Sequence, residues 1–347
     1  DAAVQQYVPT ADPSNVKAAL SSVEPGTGRI VAMSQNTNYG LATEEDSSTT
    51  QISFSADASH GGLENTDGTS GFQPGSTFKA FVLAEWYQEG HSGNDVFNTS
   101  PTTFGASDWT ISCDPSKADT WTVGNANASE GGTHNVIQNT AMSINVGFAR
   151  MTQQMDICNI TGLAARLGVT TNDGSALTPS PSIALGSQEV TPLQMANAYA
   201  TFAAHGLYCK PIAIDRILDA SGTSMAVPSA DCTQAMDQGA ADLTASTLTA
   251  TSQRGGTAQQ AVFGRPIAGK TGTTDEAENT WFVGFTPQLA TAVWIGHAGS
   301  PRTLNYQQIG PHYVDVMYGN TIAVPMWRDY MSQAVANDPV LPIPSHG

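Results

Sequence analysis

Three short runs carry residues that can act on a carbonyl. Ser76-Thr77-Phe78-Lys79 puts a hydroxyl and an amine three positions apart. Ser143-Ile144-Asn145 adds a second hydroxyl and a carboxamide. Lys270-Thr271-Gly272-Thr273 adds a second amine and two more hydroxyls. On a helix, positions i and i+3 share a face, so Lys79 lies one turn from Ser76. A serine hydroxyl is a weak nucleophile until a base takes its proton. A lysine can be that base when burial and a second cation lower its pKa, and Lys270 is the available cation. Ser143 can pass a proton between Lys79 and a leaving nitrogen. Asn145 can orient a substrate amide. A strand with Thr271 and Thr273 offers hydroxyls and N–H groups to an extended peptide. The backbone N–H groups of Ser76 and Thr273 are the expected oxyanion hole. Together these parts spell nucleophilic acyl transfer.

Chance matches weaken each run alone. Composition predicts roughly 0.4 random S-x-x-K matches, and Ser14-Asn15-Val16-Lys17 is a second one. Ser34-Gln35-Asn36 and Ser92-Gly93-Asn94 also fit S-x-N. K-T-G occurs once, against roughly 0.05 expected, and is the specific member. The same lysine completes a decoy, because Gly264 to Thr271 matches the phosphate-loop pattern G-x-x-x-x-G-K-[ST] letter for letter. A phosphate loop needs a helix after it, and here Gly272, Asp275, Glu276 and Glu278 follow, a poor helix start that repels phosphate. The bland alternative makes Ser76 a helix cap, Lys79 a solvated lysine and Lys270 the end of a surface strand. It conflicts with the apolar segment around Lys79, where an amine would be buried.

The elements that must position these residues follow from periodicity. Ala18–Glu24 and Arg29–Ser34 flank Pro25-Gly26-Thr27-Gly28 and predict a β-hairpin. Residues 35–75 form a long polar excursion with one alternating piece at Gln51–Ser55. Ser76–Glu89 predicts a buried helix stopped by Gly90. Residues 97–134 are polar again, with alternating patches such as Trp121-Thr122-Val123. Asn135–Met155 predicts a helix interrupted around Ser143-Ile144-Asn145. Ile160–Leu167 predicts a short helix, and the capping box Thr191-Pro192-Leu193-Gln194 starts another that runs to about His205. Ala240–Gln253 is a further helix. Arg265–Thr274, Thr280–Phe285 and Ala290–His297 predict strands. A last helix opens at Pro325 with Trp327, Tyr330, Met331 and Ala334 on one face. Strands at both ends and helices in the middle predict one sheet built from both ends, with a helical insertion. The expected domain is 18–340, after a polar lead-in at 1–17 and before a tail at 341–347.

The chain has 347 residues and a net charge of −17, with 13 Lys and Arg against 30 Asp and Glu. That balance argues against nucleic acid and against anionic membrane surfaces. No apolar run reaches the ~18 residues that suggest a membrane span. Asp1 in place of Met, with no leader visible, reads as a mature or excised piece. No cofactor is expected, and the scattered histidines predict no metal site. Cys113, Cys158, Cys209 and Cys232 allow three disulfide connectivities or four free thiols. The favoured pairs are Cys113–Cys158 and Cys209–Cys232, the second closing a short polar segment. The glycosylation triplets at Asn98, Asn127 and Asn159 read as chance in so Ser/Thr-rich a sequence.

The three runs, in this order, resemble the transpeptidase domain of the class A penicillin-binding proteins. Val23 to Met33 is similar to that family's opening hairpin and Gly71 to Lys79 to its nucleophile segment. Ala184-Leu185-Gly186 through Thr191–Ala196 is similar to its stretch before a central helix. Ala268–Thr274 and Trp281–Phe285 are similar to its active-site strand and the strand beside it. The resemblance spans roughly 18–335. It implies an α+β fold of the serine β-lactamase/D,D-peptidase type, a five-stranded antiparallel sheet flanked by helices plus a helical lobe. It implies acylation of Ser76 by a peptidoglycan stem peptide ending in D-Ala-D-Ala, release of the last D-Ala and transfer to an amine of a second strand. It implies that Thr271 and Thr273 hold the terminal carboxylate and that β-lactams inhibit covalently. It places the enzyme outside the cell membrane, held there by an N-terminal anchor. The anchor and a glycosyltransferase domain are absent from this sequence, so glycan polymerisation is not assigned to it. The cysteines, high Ala/Thr content and low lysine look actinobacterial. Ala80 departs from the proline that many members carry after the lysine.

Other activities share these motifs: a serine β-lactamase, a D,D-carboxypeptidase and a non-catalytic β-lactam receptor. A β-lactamase needs a carboxylate to position water, typically Glu-x-x-x-Asn after the S-x-N run. No carboxylate between Asn145 and Lys270 has Asn four residues on: Ile160 follows Asp156 and Leu193 follows Glu189.

Overall fold

Strands from the two ends of the chain meet in one antiparallel sheet. The computed structural model describes residues 1–41, 48–299 and 301–346. The sheet contains β1 (Lys17–Val23), β2 (Ile30–Gln35), β3 (Ala268–Thr273), β4 (Asn279–Thr286) and β5 (Leu289–Gly296), in the order β3-β4-β5-β1-β2. Every pairing is antiparallel. The β1–β2 turn closes through Glu24 N–H to Arg29 O, with Gly26 and Gly28 at φ 74° and 73°, where glycine alone is unstrained. The sheet is covered on both faces, so its strands bury alternate residues into different cores. Ala19, Trp281 and Val283 join the core under the helical lobe, while Ala18, Leu20 and Phe282 join a second core on the opposite face.

Helices fill those faces. On the first, α6 (Pro192–Ala203) runs across the sheet, started by the Thr191/Gln194 capping box. On the second lie α1 (Ala2–Tyr7) and α8 (Ala323–Ala334). Proline at position 325 falls in the first turn of α8, where its missing N–H has no helical partner to lose. The first residues are polar in composition, yet α1 buries Val4 and Tyr7, and Tyr7 donates its hydroxyl to Asp329 at 2.6 Å.

The helical lobe holds α2 (Lys79–Gln88), α3 (Val136–Met142), α4 (Asn145–Gln153), α5 (Ile157–Arg166) and α7 (Gln238–Leu248). The helix expected from 76 begins as a 3-10 turn at Gly75–Phe78 and becomes α-helical at Lys79. The segment expected from Ile160 starts earlier, because Asp156 caps it by accepting from Cys158 N–H. The alternating Gln51–Ser55 is not a strand. It makes one bridge, Ser53 to Gly62, and turns Phe54 into the core against Phe72 and Trp294. Disulfides join Cys113 to Cys158 at the start of α5, and Cys209 to Cys232 across the excursion after α6.

Candidate active site

The α3–α4 break exists because Ser143 adopts a left-handed conformation, φ 60° and ψ 36°. A non-glycine residue there stores backbone strain, and such strain persists where the surroundings enforce it. The break turns both Ser143 groups toward lysines. Lys79 Nζ donates to Ser143 O at 2.7 Å and to Asn145 Oδ1 at 2.7 Å, and lies 3.2 Å from Ser143 Oγ. Lys270 Nζ donates to Ser143 Oγ at 2.7 Å and to Thr271 O at 3.1 Å. Both lysines are fully buried. Neither is a solvated surface lysine, and Lys270 lies within a strand, not in a phosphate-binding loop.

Burial sets the charge of this pair. Desolvation pushes Lys79 well below its ordinary pKa, the nearby Lys270 pushes it further down, and Glu130 partly opposes them. Burial lowers Lys270 to about 7. A neutral Lys79 has two N–H bonds, enough for the two 2.7 Å acceptors, and one lone pair left for a proton. That is the state a base requires.

The nucleophile turn is clamped against β3. Tyr199 donates its buried hydroxyl to Thr77 O at 2.8 Å, and Trp281 Nε1 donates to Gln73 O at 2.8 Å. A Cβ on Gly75 would lie 2.8 Å from Thr273 O, and one on Gly272 would lie 2.4 Å from Pro74 O. These contacts bring the backbones of Ser76 and Thr273 side by side. Gly186, at φ 76°, backs the turn, and a Cβ there would lie 2.3 Å from Gly75 O. Gly186→Ala is expected to lower the melting temperature and slow every reaction of Ser76. The backbone conformation alone costs about 1–2 kcal/mol, and the clash adds to it. Gly174→Ala is the control, because φ there is 82° and nothing lies within 4 Å of its Cβ. Equal melting temperatures for the two variants would refute the clamp.

A cleft of about 670 Å³ opens over these groups. Ser76, Ser143, Asn145, Thr271 and Thr273 line it, and Lys79 and Lys270 lie beneath. Asn145 also donates from Nδ2 to Gly124 O at 3.1 Å, which leaves that nitrogen one N–H. Ser76 lines the cleft and is not the helix cap, which is Pro74. Thr271 donates its hydroxyl to Thr257 Oγ1 at 2.8 Å. Thr273 Oγ1 accepts from Gly319 N–H at 3.1 Å. Thr257 and Gly319 line the cleft too, and sequence reading missed both, since they stand outside any motif. It also missed Glu130, which faces the cleft from upstream of the S-x-N run. A search for carboxylates ahead of Ser143 would have found it.

The description "Penicillin binding protein transpeptidase domain" matches residues 19–308. This chain belongs to the penicillin-binding protein transpeptidase family. Penicillin-binding protein 1A of Aquifex aeolicus is 30% identical over 259 residues, covering 75% of this chain and 32% of that protein. Its counterpart in Neisseria meningitidis is 33% identical over 272 residues, covering 76% and 31%. The chain therefore spans about a third of the length of these relatives. Among solved structures, PonA1 of Mycobacterium tuberculosis in complex with penicillin V superposes with a TM-score of 0.77 at 22% identity, covering 100% of this chain and 85% of that one. The D,D-transpeptidase domain of an Eggerthella lenta peptidoglycan glycosyltransferase gives 0.70 at 22%, covering 98% and 81%. The fold is thus that of the penicillin-binding transpeptidases, a five-stranded antiparallel sheet with helices. Among the described residues, no helix is long and apolar enough to cross a membrane.

Proposed function

We propose that this chain is a serine D,D-transpeptidase domain that works outside the cell membrane on peptidoglycan stem peptides ending in D-Ala-D-Ala. The domain is taken as residues 18–340. One observation carries the reading: two buried lysines converge on the Ser143 hydroxyl beneath a cleft lined by Ser76. Neutral Lys79 takes the Ser76 proton as Oγ attacks the penultimate carbonyl. The N–H groups of Ser76 and Thr273 hold the oxyanion. The proton passes through Ser143 to the departing nitrogen, and the last D-Ala leaves. Lys270 with the hydroxyls of Thr271 and Thr273 holds its carboxylate. Gly272 lets the strand lie against the nucleophile turn. The Ser76 ester then meets an amine of a second strand. A β-lactam enters as the donor does and stays as a stable ester.

The test is covalent labelling by a fluorescent penicillin, followed by mass spectrometry with time. Wild type is expected to gain one adduct and Ser76→Ala none. Labelling that survives the substitution sinks the mechanism. Loss of the label within seconds would favour a β-lactamase. A stable label without any turnover of a D-Ala-D-Ala donor would favour a receptor, and turnover only to free acid a D,D-carboxypeptidase.

A further inference from the structure

The cleft over Ser76 is not uniformly basic. Glu130 faces it from one wall, and Asp275 and Glu276 face it from the turn after β3. Glu130 is held in place: its Oε1 accepts from Asn127 Nδ2 at 2.8 Å, and its backbone carbonyl accepts the Thr99 hydroxyl at 2.8 Å. It is half-buried, and its charge reaches Lys79. Acylation gives this carboxylate nothing to do. The base is an amine, the oxyanion donors are N–H groups, and the departing D-Ala is itself an anion. An anion fixed on the wall of the cleft that holds the nucleophile repels other anions and attracts a cation. The second half of the reaction brings one, since an amino group near neutral pH arrives protonated.

We propose that Glu130 binds the acceptor: the incoming nucleophile is a primary amine that enters as its ammonium ion, and Glu130 takes one proton from it. The inference rests on the acyl-transfer reading above. An ammonium has no lone pair, so it loses a proton to Glu130 before attack. The freed amine attacks the ester carbon, a C–N bond forms and the C–Oγ bond breaks. The second proton leaves the nitrogen and goes to Ser76 Oγ through Lys79 and Ser143. Ammonium, ester and carboxylate become amide, serine and carboxylic acid, and charge balances. Asp275 and Glu276, which line the same cleft from the turn after β3, add attraction for the same cation.

The experiment uses a thioester analogue of the D-Ala-D-Ala donor with D-alaninamide as acceptor. Transfer and hydrolysis products are counted in the same tube. Their ratio is independent of the acylation rate and of the fraction of folded protein. Glu130→Gln is expected to lower the ratio about tenfold and to raise KM for the acceptor, as loss of one partly screened ion pair would. Glu130→Asp keeps the charge and is expected to recover most of it. An unchanged ratio in Glu130→Gln would overturn the proposal. So would a fall in hydrolysis with transfer intact, which would make Glu130 a water-positioning residue. So would a wild type that only hydrolyses. Failure of the underlying reading shows separately, as the absence of any acyl-enzyme on Ser76 in wild type.

Discussion

Lys79→Met is expected to slow acylation of Ser76 by a fluorescent penicillin by roughly 10³- to 10⁴-fold, the upper range for loss of a positioned base. The protein is expected to stay folded. Methionine keeps an unbranched apolar stem of similar length in a buried position, and gives up only the amine that lies 5.4 Å from the Phe148 ring centroid. The substitution removes a polar amine from a fully buried position, where its desolvation is unfavourable. It leaves Ser143 O and Asn145 Oδ1 without their 2.7 Å donor, but both residues border the cleft and water can reach them. Lys79→Arg separates two roles. Arginine places a permanent cation there and does not lose its proton at working pH, so it cannot serve as a base. It is expected to be as slow as Lys79→Met. Stopped-flow labelling gives the rates and thermal melts give the folding control. An arginine variant within tenfold of wild type would show that Lys79 acts only through its charge.

The trio could be read in the sequence because helix geometry fixes a local pair and one tripeptide was rare. Lys79 three residues after Ser76 needs only a helix. Lys270-Thr271-Gly272 on a strand between two further strand candidates needs only a sheet. The break at Ser143 was visible too, as a polar pair inside a helical pattern. Two things were out of reach. Partners brought in by distant loops leave no local trace. Thr257 meets Thr271 because its N–H bonds Ala141 O at 3.0 Å, and Gly319 arrives from beyond β5. Signed charge around the cleft was also hidden. Two of five lysines pointed to a cationic pocket, yet Glu130, Asp275 and Glu276 share its walls. Composition reports totals, and only the fold decides which charges face one another. The tertiary setting also overrode pattern inside the 35–75 excursion and at the start of the chain. Phe54 left its alternating strand to fill a core, and polar residues 1–15 supplied α1.

Raising the pH from 7 to 9.5 is expected to slow acylation while stabilising the fold, and Lys270 links the two. Burial holds its pKa at about 7 in the folded chain, against the ordinary lysine value of 10.5. Between those values the folded chain leaves Lys270 neutral and the unfolded chain protonates it. The unfolded state therefore binds more protons, and stability rises with pH across that window. The gain levels off above the unfolded pKa, and below pH 7 both states are protonated and the difference is constant. Lys79, also lowered by burial, adds a contribution of the same sign. Catalysis runs the other way. A neutral Lys270 no longer attracts the substrate carboxylate, so the second-order rate of penicillin labelling, which reports the free enzyme, falls above about pH 7. Lys270→Arg carries a charge that does not titrate in this range. It is expected to flatten the alkaline fall in labelling and to abolish the Lys270 share of the rise in melting temperature. Subtracting its melts from those of wild type at each pH removes the contributions that the two proteins share. A wild-type labelling rate that still climbs at pH 9, or a difference melt that does not change with pH, would remove Lys270 as the cation of the site.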